Sequence, residues 1–167
     1  YVRRPVLERL EPPFLDMYGA TWVAPDRYTL HDNAQRFENF ETNFAGKIGL
    51  GVAIDYTLHW GVDAIWQRVK TLAYTLRPRL AALPGVIVHD RGITQCGIIT
   101  FTVDGLAPEE IKRRLAEQQI NANVSYQSST LLDLRARNIT SMVRASIHYY
   151  NTEEEVERFC NTIQEMC

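Results

Sequence analysis

The chain has 167 residues, of which 46% are hydrophobic and 23% charged, and its formal net charge is -2. This composition predicts a globular protein with a substantial core rather than a disordered chain. Acidic and basic residues are interspersed, so no basic face indicates a nucleic-acid partner. The longest mainly apolar run, around Gly49 to Leu58, contains Asp55 and is shorter than the roughly 20 residues of a membrane span, so no membrane partner is expected.

The three cysteines, Cys96, Cys160 and Cys167, cannot all pair with one another. They show neither a CxxC motif nor the Cys/His spacing of a zinc site. We therefore expect reduced thiols in a cytoplasmic protein without a metal, with Cys96 and Cys160 as packed sulfurs. The chain starts with YVRRP, an apolar strand-like entry, and we expect a longer protein to continue upstream of it.

Residues 1 to 35 are rich in proline, aromatic residues and turn formers, and they show no sustained periodicity. They predict an irregular lead-in. From residue 43 to residue 60, apolar and small residues recur at helical spacing, which predicts a first long helix that Gly61 ends. A second amphipathic helix follows from Val62, and Pro78 is expected to kink it or to end its regular part.

The periodicity then changes to that of strands. Runs of β-branched residues bounded by glycine predict two strands at VIVHD and GIITFTVDG, and two more follow at INANVSY and MVRASIHYY. The segment LAPEEIKRRLAEQQ predicts a helix, and the segment QSSTLLDLRARNIT predicts a polar loop. Thr152 and Glu155 predict a capping box that starts a last helix. The order predicts an α/β fold with a small, mostly antiparallel sheet covered by helices and preceded by a long two-helix segment.

The segment ETNFAGKIGLG, residues 41–51, contains a Gly-Lys pair and three glycines, as a phosphate-binding loop would. A Walker loop needs a serine or threonine after the lysine, but Lys47 is followed by Ile48. A dinucleotide fingerprint needs a third glycine and a strand that leads into it. We interpret the segment as the start of a helix whose small residues allow another backbone to approach closely.

Arg144 lies inside a predicted strand between Val143 and Ala145. The guanidinium group can hold a carboxylate or a phosphate in two parallel hydrogen bonds, which would explain an arginine at such a position. A salt bridge to a nearby acid such as Asp133 explains it equally well. Both interpretations stay open at this point.

Four segments of the chain together resemble the C-terminal part of the class V aminotransferase family. They are RFENFETNFAGKIGLGVAIDY, LPGVIVHD, GIITFTVDGLAPEEI and VRASIHYYNTEEEVERF. The family consists of fold type I pyridoxal-phosphate (PLP) enzymes, including cysteine desulfurases, selenocysteine lyases and isopenicillin N epimerase-like proteins. The resemblance covers essentially the whole chain. It implies that residues 1–42 lead in from a large PLP-binding domain and that residues 43–167 form the C-terminal α/β domain.

The resemblance also implies roles for single residues. Arg144 matches the arginine that binds the α-carboxylate of the amino-acid substrate. Thr42 and Asn43 lie near the position where family members contact the PLP phosphate of the partner subunit, although the matching threonine position falls on Glu41. The loop that holds the sulfur-accepting cysteine of cysteine desulfurases has serines instead, so a persulfide mechanism of that type is not expected.

The three lysines, Lys47, Lys70 and Lys112, do not lie in the family's Schiff-base setting. The resemblance therefore implies that the lysine belongs to a missing N-terminal part and that this chain is inactive alone. The expected function is the C-terminal domain of a homodimeric, PLP-dependent aminotransferase-like enzyme that acts on an amino acid. The alternatives are an enzyme of the cysteine desulfurase or selenocysteine lyase type and a non-catalytic domain that kept the fold.

Overall fold

The structure, a computed structural model, describes residues 2–167. The chain divides into two units, one reaching to Tyr56 and one from Thr57 to Cys167. The division falls inside a long helix, and the domain boundary expected after residue 42 stays a prediction. Among residues 2–167, no helix combines the length and the apolar character that crossing a bilayer would require.

The first unit contains a β-hairpin in the segment that was expected to be irregular. Strand β1 (Ala20–Ala24) pairs antiparallel with β2 (Arg27–Leu30), and a short helix α1 (Arg4–Leu7) precedes them. The register shifts between Trp22 and Ala24. This hairpin was missed because its strands are only five and four residues long and most of their side chains are exposed, so they lack the alternation that marks a half-buried strand.

Helix α2 (Phe44–Trp60) confirms the first predicted helix, and Gly61 follows it with a φ of 83°. All residues of α2 are exposed, including its large apolar side chains. Its apolar residues surround the helix instead of forming one buried stripe. The closely approaching backbone that its small residues predict is therefore not part of the described structure, and Gly49 has no atom within 4 Å of an added Cβ.

Helix α3 (Val62–Ala81) confirms the second predicted helix. Pro78 lies in its last turn, and the helix continues to Ala81. Proline lacks one N–H and so removes one hydrogen bond of the ladder, but the last turn still forms, with the Ala82 N–H donating to the Pro78 carbonyl at 3.0 Å. The inner face of α3 packs in the core through Leu72, Leu76 and Leu80.

The second unit is built on one antiparallel four-stranded sheet, in the order β3-β4-β6-β5. Its strands are β3 (Val86–Val88), β4 (Ile98–Val103), β5 (Asn123–Tyr126) and β6 (Ser141–Ser146). Helices α4 (Pro108–Glu117) and α6 (Glu153–Gln164) join α3 in a single core with this sheet. The predicted fold class is confirmed.

Helix α6 begins with the predicted capping box. The Glu155 backbone N–H donates to Thr152 Oγ1 at 3.2 Å, and the Thr152 backbone N–H donates to Glu155 Oε2 at 3.0 Å. Strand β6 is shorter than predicted because the chain turns after Ser146. Asn151 Oδ1 accepts the His148 backbone N–H at 2.8 Å and closes that turn.

The predicted polar loop between β5 and β6 is partly helical. A 3-10 turn (Gln127–Ser129) leads into a short helix α5 (Leu131–Ala136), and Leu134 is fully buried. The polar composition concealed this helix, since Leu134 is the only buried residue in it.

Candidate functional site

Arg144 lies in the middle of β6, between β4 and β5. Its register partners are Thr100 on β4 and Asn123 on β5. Side chains alternate between the two faces of a strand, and the neighbours Val143 and Ala145 are buried in the helix-covered core. The half-buried Arg144 side chain therefore stands on the opposite face of the sheet, which we call the open face.

The Nε atom of Arg144 is buried and has no hydrogen-bond partner among residues 2–167. Asp133, the acid that could have formed a salt bridge with it, is paired instead with Arg137, whose Nη1 lies 2.9 Å from Asp133 Oδ2. A buried donor without a partner costs about 1–3 kcal/mol. The arrangement therefore fits an acceptor that comes from outside the described residues.

On β4, the strand beside β6, a buried ion pair of Arg77 and Asp90 completes the edge. Strand β3 pairs only with the C-terminal half of β4, so the backbone of Ile98 and Thr100 needs other partners on that side. Asp90 Oδ1 accepts both the backbone N–H and the hydroxyl of Thr100, at 2.8 and 2.7 Å. Arg77 donates from Nε to Asp90 Oδ2 at 2.7 Å and from Nη2 to the Ile98 carbonyl at 3.1 Å.

His89 and Arg137 connect α5 to the same region of the sheet. His89 Nε2 lies 2.9 Å from Thr102 Oγ1, and Arg137 Nη2 donates to the His89 carbonyl at 2.7 Å. Burial, and in addition the positive charge of Arg137, lower the pKa of His89, whereas Asp90 acts in the opposite direction. A neutral His89 is therefore favoured at the open face.

Thr42 and Asn43 belong to the first unit and are described within it. Asn43 Oδ1 accepts the Gly46 backbone N–H at 2.8 Å, so Asn43 caps α2. The Thr42 carbonyl accepts the Phe44 N–H at 3.0 Å, and its side chain is half-buried. The Lys47 N–H also donates, to the Asn43 carbonyl at 3.0 Å, so most N–H groups of the first turn of α2 already have acceptors. The contact of Thr42 and Asn43 with a cofactor phosphate stays a prediction.

The cysteines differ in exposure from one another. Cys160 is buried in the core, as predicted, and burial raises the pKa of its thiol. Cys96 is exposed, so the prediction of a packed sulfur was wrong. It precedes β4 by two residues and lies in the loop after β3, where the strand pattern does not extend. Among residues 2–167, no group of three or more His, Cys, Asp or Glu side chains could hold a metal ion.

Sequence reasoning missed the ion pair of Arg77 and Asp90 at the edge of β4. Neither Asp90 nor Arg77 belongs to a recognisable sequence motif. They can pair because β3 ends beside α3. One signal was available, since Thr100 and Thr102 alternate with apolar residues along β4 and mark its polar face.

With this geometry established, comparison with known proteins defines the family. The family model described as Aminotransferase class-V matches residues 1–159. The chain belongs to the class V aminotransferase family. A probable cysteine desulfurase from Methanothermobacter thermautotrophicus is 29% identical over 172 residues, with 99% of this chain and 42% of that protein covered.

Solved structures agree with the fold. The apo cysteine desulfurase from Thermococcus onnurineus NA1 matches 99% of this chain and 42% of its own, with a TM-score of 0.86 and 28% identity. The cystine C-S lyase C-DES, solved with its reaction product cysteine persulfide, matches with a TM-score of 0.78 and 23% identity over 99% of this chain and 41% of its own. A variant of C-DES carries glycine covalently linked to its PLP cofactor. The chain therefore has the fold of fold type I PLP enzymes and spans about 40% of the length of the relatives it matches.

Proposed function

We propose that this chain forms the C-terminal part of a PLP-dependent enzyme that cleaves the carbon–sulfur bond of a sulfur-containing amino acid. The cysteine desulfurase type, an alternative in the sequence analysis, is better supported than a general aminotransferase, since the relatives reported above are described as cysteine desulfurases or as a C-S lyase. PLP would supply the electron sink for that cleavage. The rest of the active site, including the lysine that binds the cofactor, would come from parts of the enzyme beyond these residues.

The observation that carries the proposal is the Nε atom of Arg144, a buried guanidinium donor without a partner in residues 2–167. An amino-acid substrate offers an α-carboxylate, which a guanidinium group binds through two parallel hydrogen bonds. Arg144 would hold the substrate by this group and orient it. Thr42 and Asn43 would lie at the cofactor phosphate of the other subunit of a homodimer, at the start of α2.

The β5–β6 loop refines this proposal. It contains Ser128 and Ser129 and no cysteine, and a hydroxyl does not accept sulfur as a thiolate does. We therefore propose that sulfur leaves this enzyme as a small molecule rather than on a cysteine of the loop. The cytoplasmic setting belongs to the same proposal, and three free thiols support it.

The test uses the complete polypeptide that contains residues 1–167, purified with PLP and given cysteine or cystine. The assay contains dithiothreitol, which accepts sulfane sulfur and reduces it to sulfide. We expect sulfide, measured by sulfide-sensitive dyes, together with alanine or pyruvate. Arg144→Ala is expected to raise KM by at least about tenfold through loss of a charge-assisted pair of hydrogen bonds, while the cofactor absorbance stays. Arg113→Ala, which removes an exposed arginine of α4, serves as the matched control.

Three results would oppose the proposal. Transamination without sulfur release would favour the aminotransferase alternative. Failure of the complete polypeptide to show cofactor absorbance would favour a non-catalytic domain. An unchanged KM in Arg144→Ala would remove the role of Arg144 even if the reaction itself were found.

A further inference from the structure

A cavity of about 290 Å³ lies in the second unit, between α3 and the loop that joins β3 to β4. Its volume is close to the lower limit of about 300 Å³ for small-molecule sites. The residues that could bind a ligand there are Arg77, Asp90, Arg91, Thr94 and Gln95. Arg144 does not line this cavity, whereas its register partner Thr100 does.

The informative residue is Arg77, which is 8% exposed. Its Nε and Nη2 atoms are occupied, by Asp90 and by the carbonyls of Cys96 and Ile98. Its Nη1 atom is buried and has no hydrogen-bond partner among residues 2–167. A guanidinium group is always charged and presents five N–H donors. The N–H donors of Arg77 Nη1 are therefore unused, although the Arg77 side chain lines the cavity.

Asp90 makes no hydrogen bond to this nitrogen. Its Oδ2 accepts Arg77 Nε, and its Oδ1 accepts the backbone N–H and the hydroxyl of Thr100. The cavity also contains a second cation, Arg91, which is exposed. Two arginines and one aspartate leave one positive charge in excess, because His89 has a lowered pKa and is favoured as neutral.

We propose that this cavity is a binding site for a small oxyanion, either a carboxylate or a phosphate. Arg77 Nη1 supplies the buried charged donor and Arg91 a second cation at the mouth. Thr94 and Gln95 supply neutral donors from the loop. A bound anion would also tie the β3–β4 loop to α3, so occupancy would stabilise the edge of β4.

The test is isothermal titration of the 167-residue chain with inorganic phosphate and, separately, with acetate, at an ionic strength kept constant with sodium chloride. We expect saturable binding of one anion per chain and a rise in Tm that follows the same concentration dependence. In two-dimensional NMR spectra, the backbone amide signals that shift should cluster in residues 89–98. Saturation by phosphate alone identifies a phosphate site, and saturation by acetate identifies a carboxylate site.

Variants distinguish a specific binding site from nonspecific electrostatic attraction. Arg91→Ala and Arg77→Lys are each expected to weaken binding at least about tenfold, since each removes a charge-assisted contact. Arg27→Ala, which removes one exposed positive charge from the other unit, is expected to bind like the original chain. If Arg77→Lys does not fold, Arg91→Ala and Thr94→Val carry the comparison. The absence of saturable binding for both anions, or equal losses in Arg91→Ala and Arg27→Ala, would overturn the proposal.

Discussion

Thr100 lies directly opposite Arg144 on neighbouring strands, and its hydroxyl donates a 2.7 Å hydrogen bond to Asp90 Oδ1. Asp90 is in turn paired with Arg77 on α3. A continuous set of polar contacts thus runs from a core helix to the strand beside the proposed substrate arginine. The side chains of Arg77 and Asp90 are each 9% exposed, so water screens this pair much less than the other ion pairs of the chain.

Removing one partner of this buried pair should destabilise the chain strongly. Asp90→Ala leaves Arg77 charged and the Thr100 backbone N–H without its acceptor, and we expect a loss of roughly 3–5 kcal/mol in the free energy of unfolding. Urea unfolding followed by circular dichroism measures it. Glu165→Ala, at an exposed carboxylate that follows α6, should change the stability by less than about 0.5 kcal/mol. Equal effects of the two substitutions would mean that the pair does not hold the edge of β4.

Two glycines should respond to alanine in opposite directions. A Cβ at Gly97 would lie 2.5 Å from the Ile147 carbonyl oxygen and 2.6 Å from Val69 Cγ1, whereas a Cβ at Gly49 would meet nothing within 4 Å. Gly97→Ala should therefore cost about 1–3 kcal/mol by overpacking. Gly49→Ala should stabilise α2 by up to about 1 kcal/mol through helix propensity. Calorimetric unfolding of both variants provides the comparison, and a stable Gly97→Ala variant would contradict the close contact between this loop and α3.

The Arg68–Glu153 contact predicts a specific acid dependence. The hydrogen bond from Arg68 lowers the pKa of Glu153 from 4.5 to about 2. Because the pKa is lower in the folded chain, the ionised Glu153 contributes stability above about pH 4.5, and this contribution is lost as the pH falls towards 2. The difference in Tm between the original chain and Glu153→Gln should thus be present at pH 6 and shrink towards pH 2.

Glu154→Gln is the control for this acid dependence, since it removes a charge from the same first turn of α6 and keeps the contact with Arg68. High salt should reduce the effect of Glu153→Gln, because both partners are exposed to solvent. A difference that stays constant from pH 6 to pH 2 would show that the ionisation of Glu153 does not stabilise the fold.

The thiols should react in two classes. Cys96 and Cys167 are exposed, whereas Cys160 is buried, and burial raises the pKa of both the Cys160 and the Cys167 thiol. A disulfide reagent with a coloured leaving group should label two thiols in the native chain and the third only after denaturation, because the thiolate is the reactive form. Cys96→Ser should remove one rapidly reacting thiol, and Cys160→Ser should remove none. Rapid labelling of all three would place Cys160 outside the core.

Local sequence signals accounted for the regular elements of the second unit. The capping box at Thr152 and Glu155 and the stripe of α3 arise between residues a few positions apart, so periodicity and side-chain chemistry reveal them directly. The same signals failed for the hairpin at Ala20–Leu30 and for α5. Those elements are short, and they expose most of their side chains.

Sequence alone established the order of helices and strands, the position of Arg144 inside a strand, and the family resemblance. Only the tertiary structure decided that Asp133 pairs with Arg137, that Arg144 Nε is left without a partner, and that Arg77 completes the edge of β4. The reason is that a hydrogen bond between distant residues depends on where the strands end and which helix passes beside them. Each of these contacts depends on the packing of the whole unit, and no local sequence pattern indicates it.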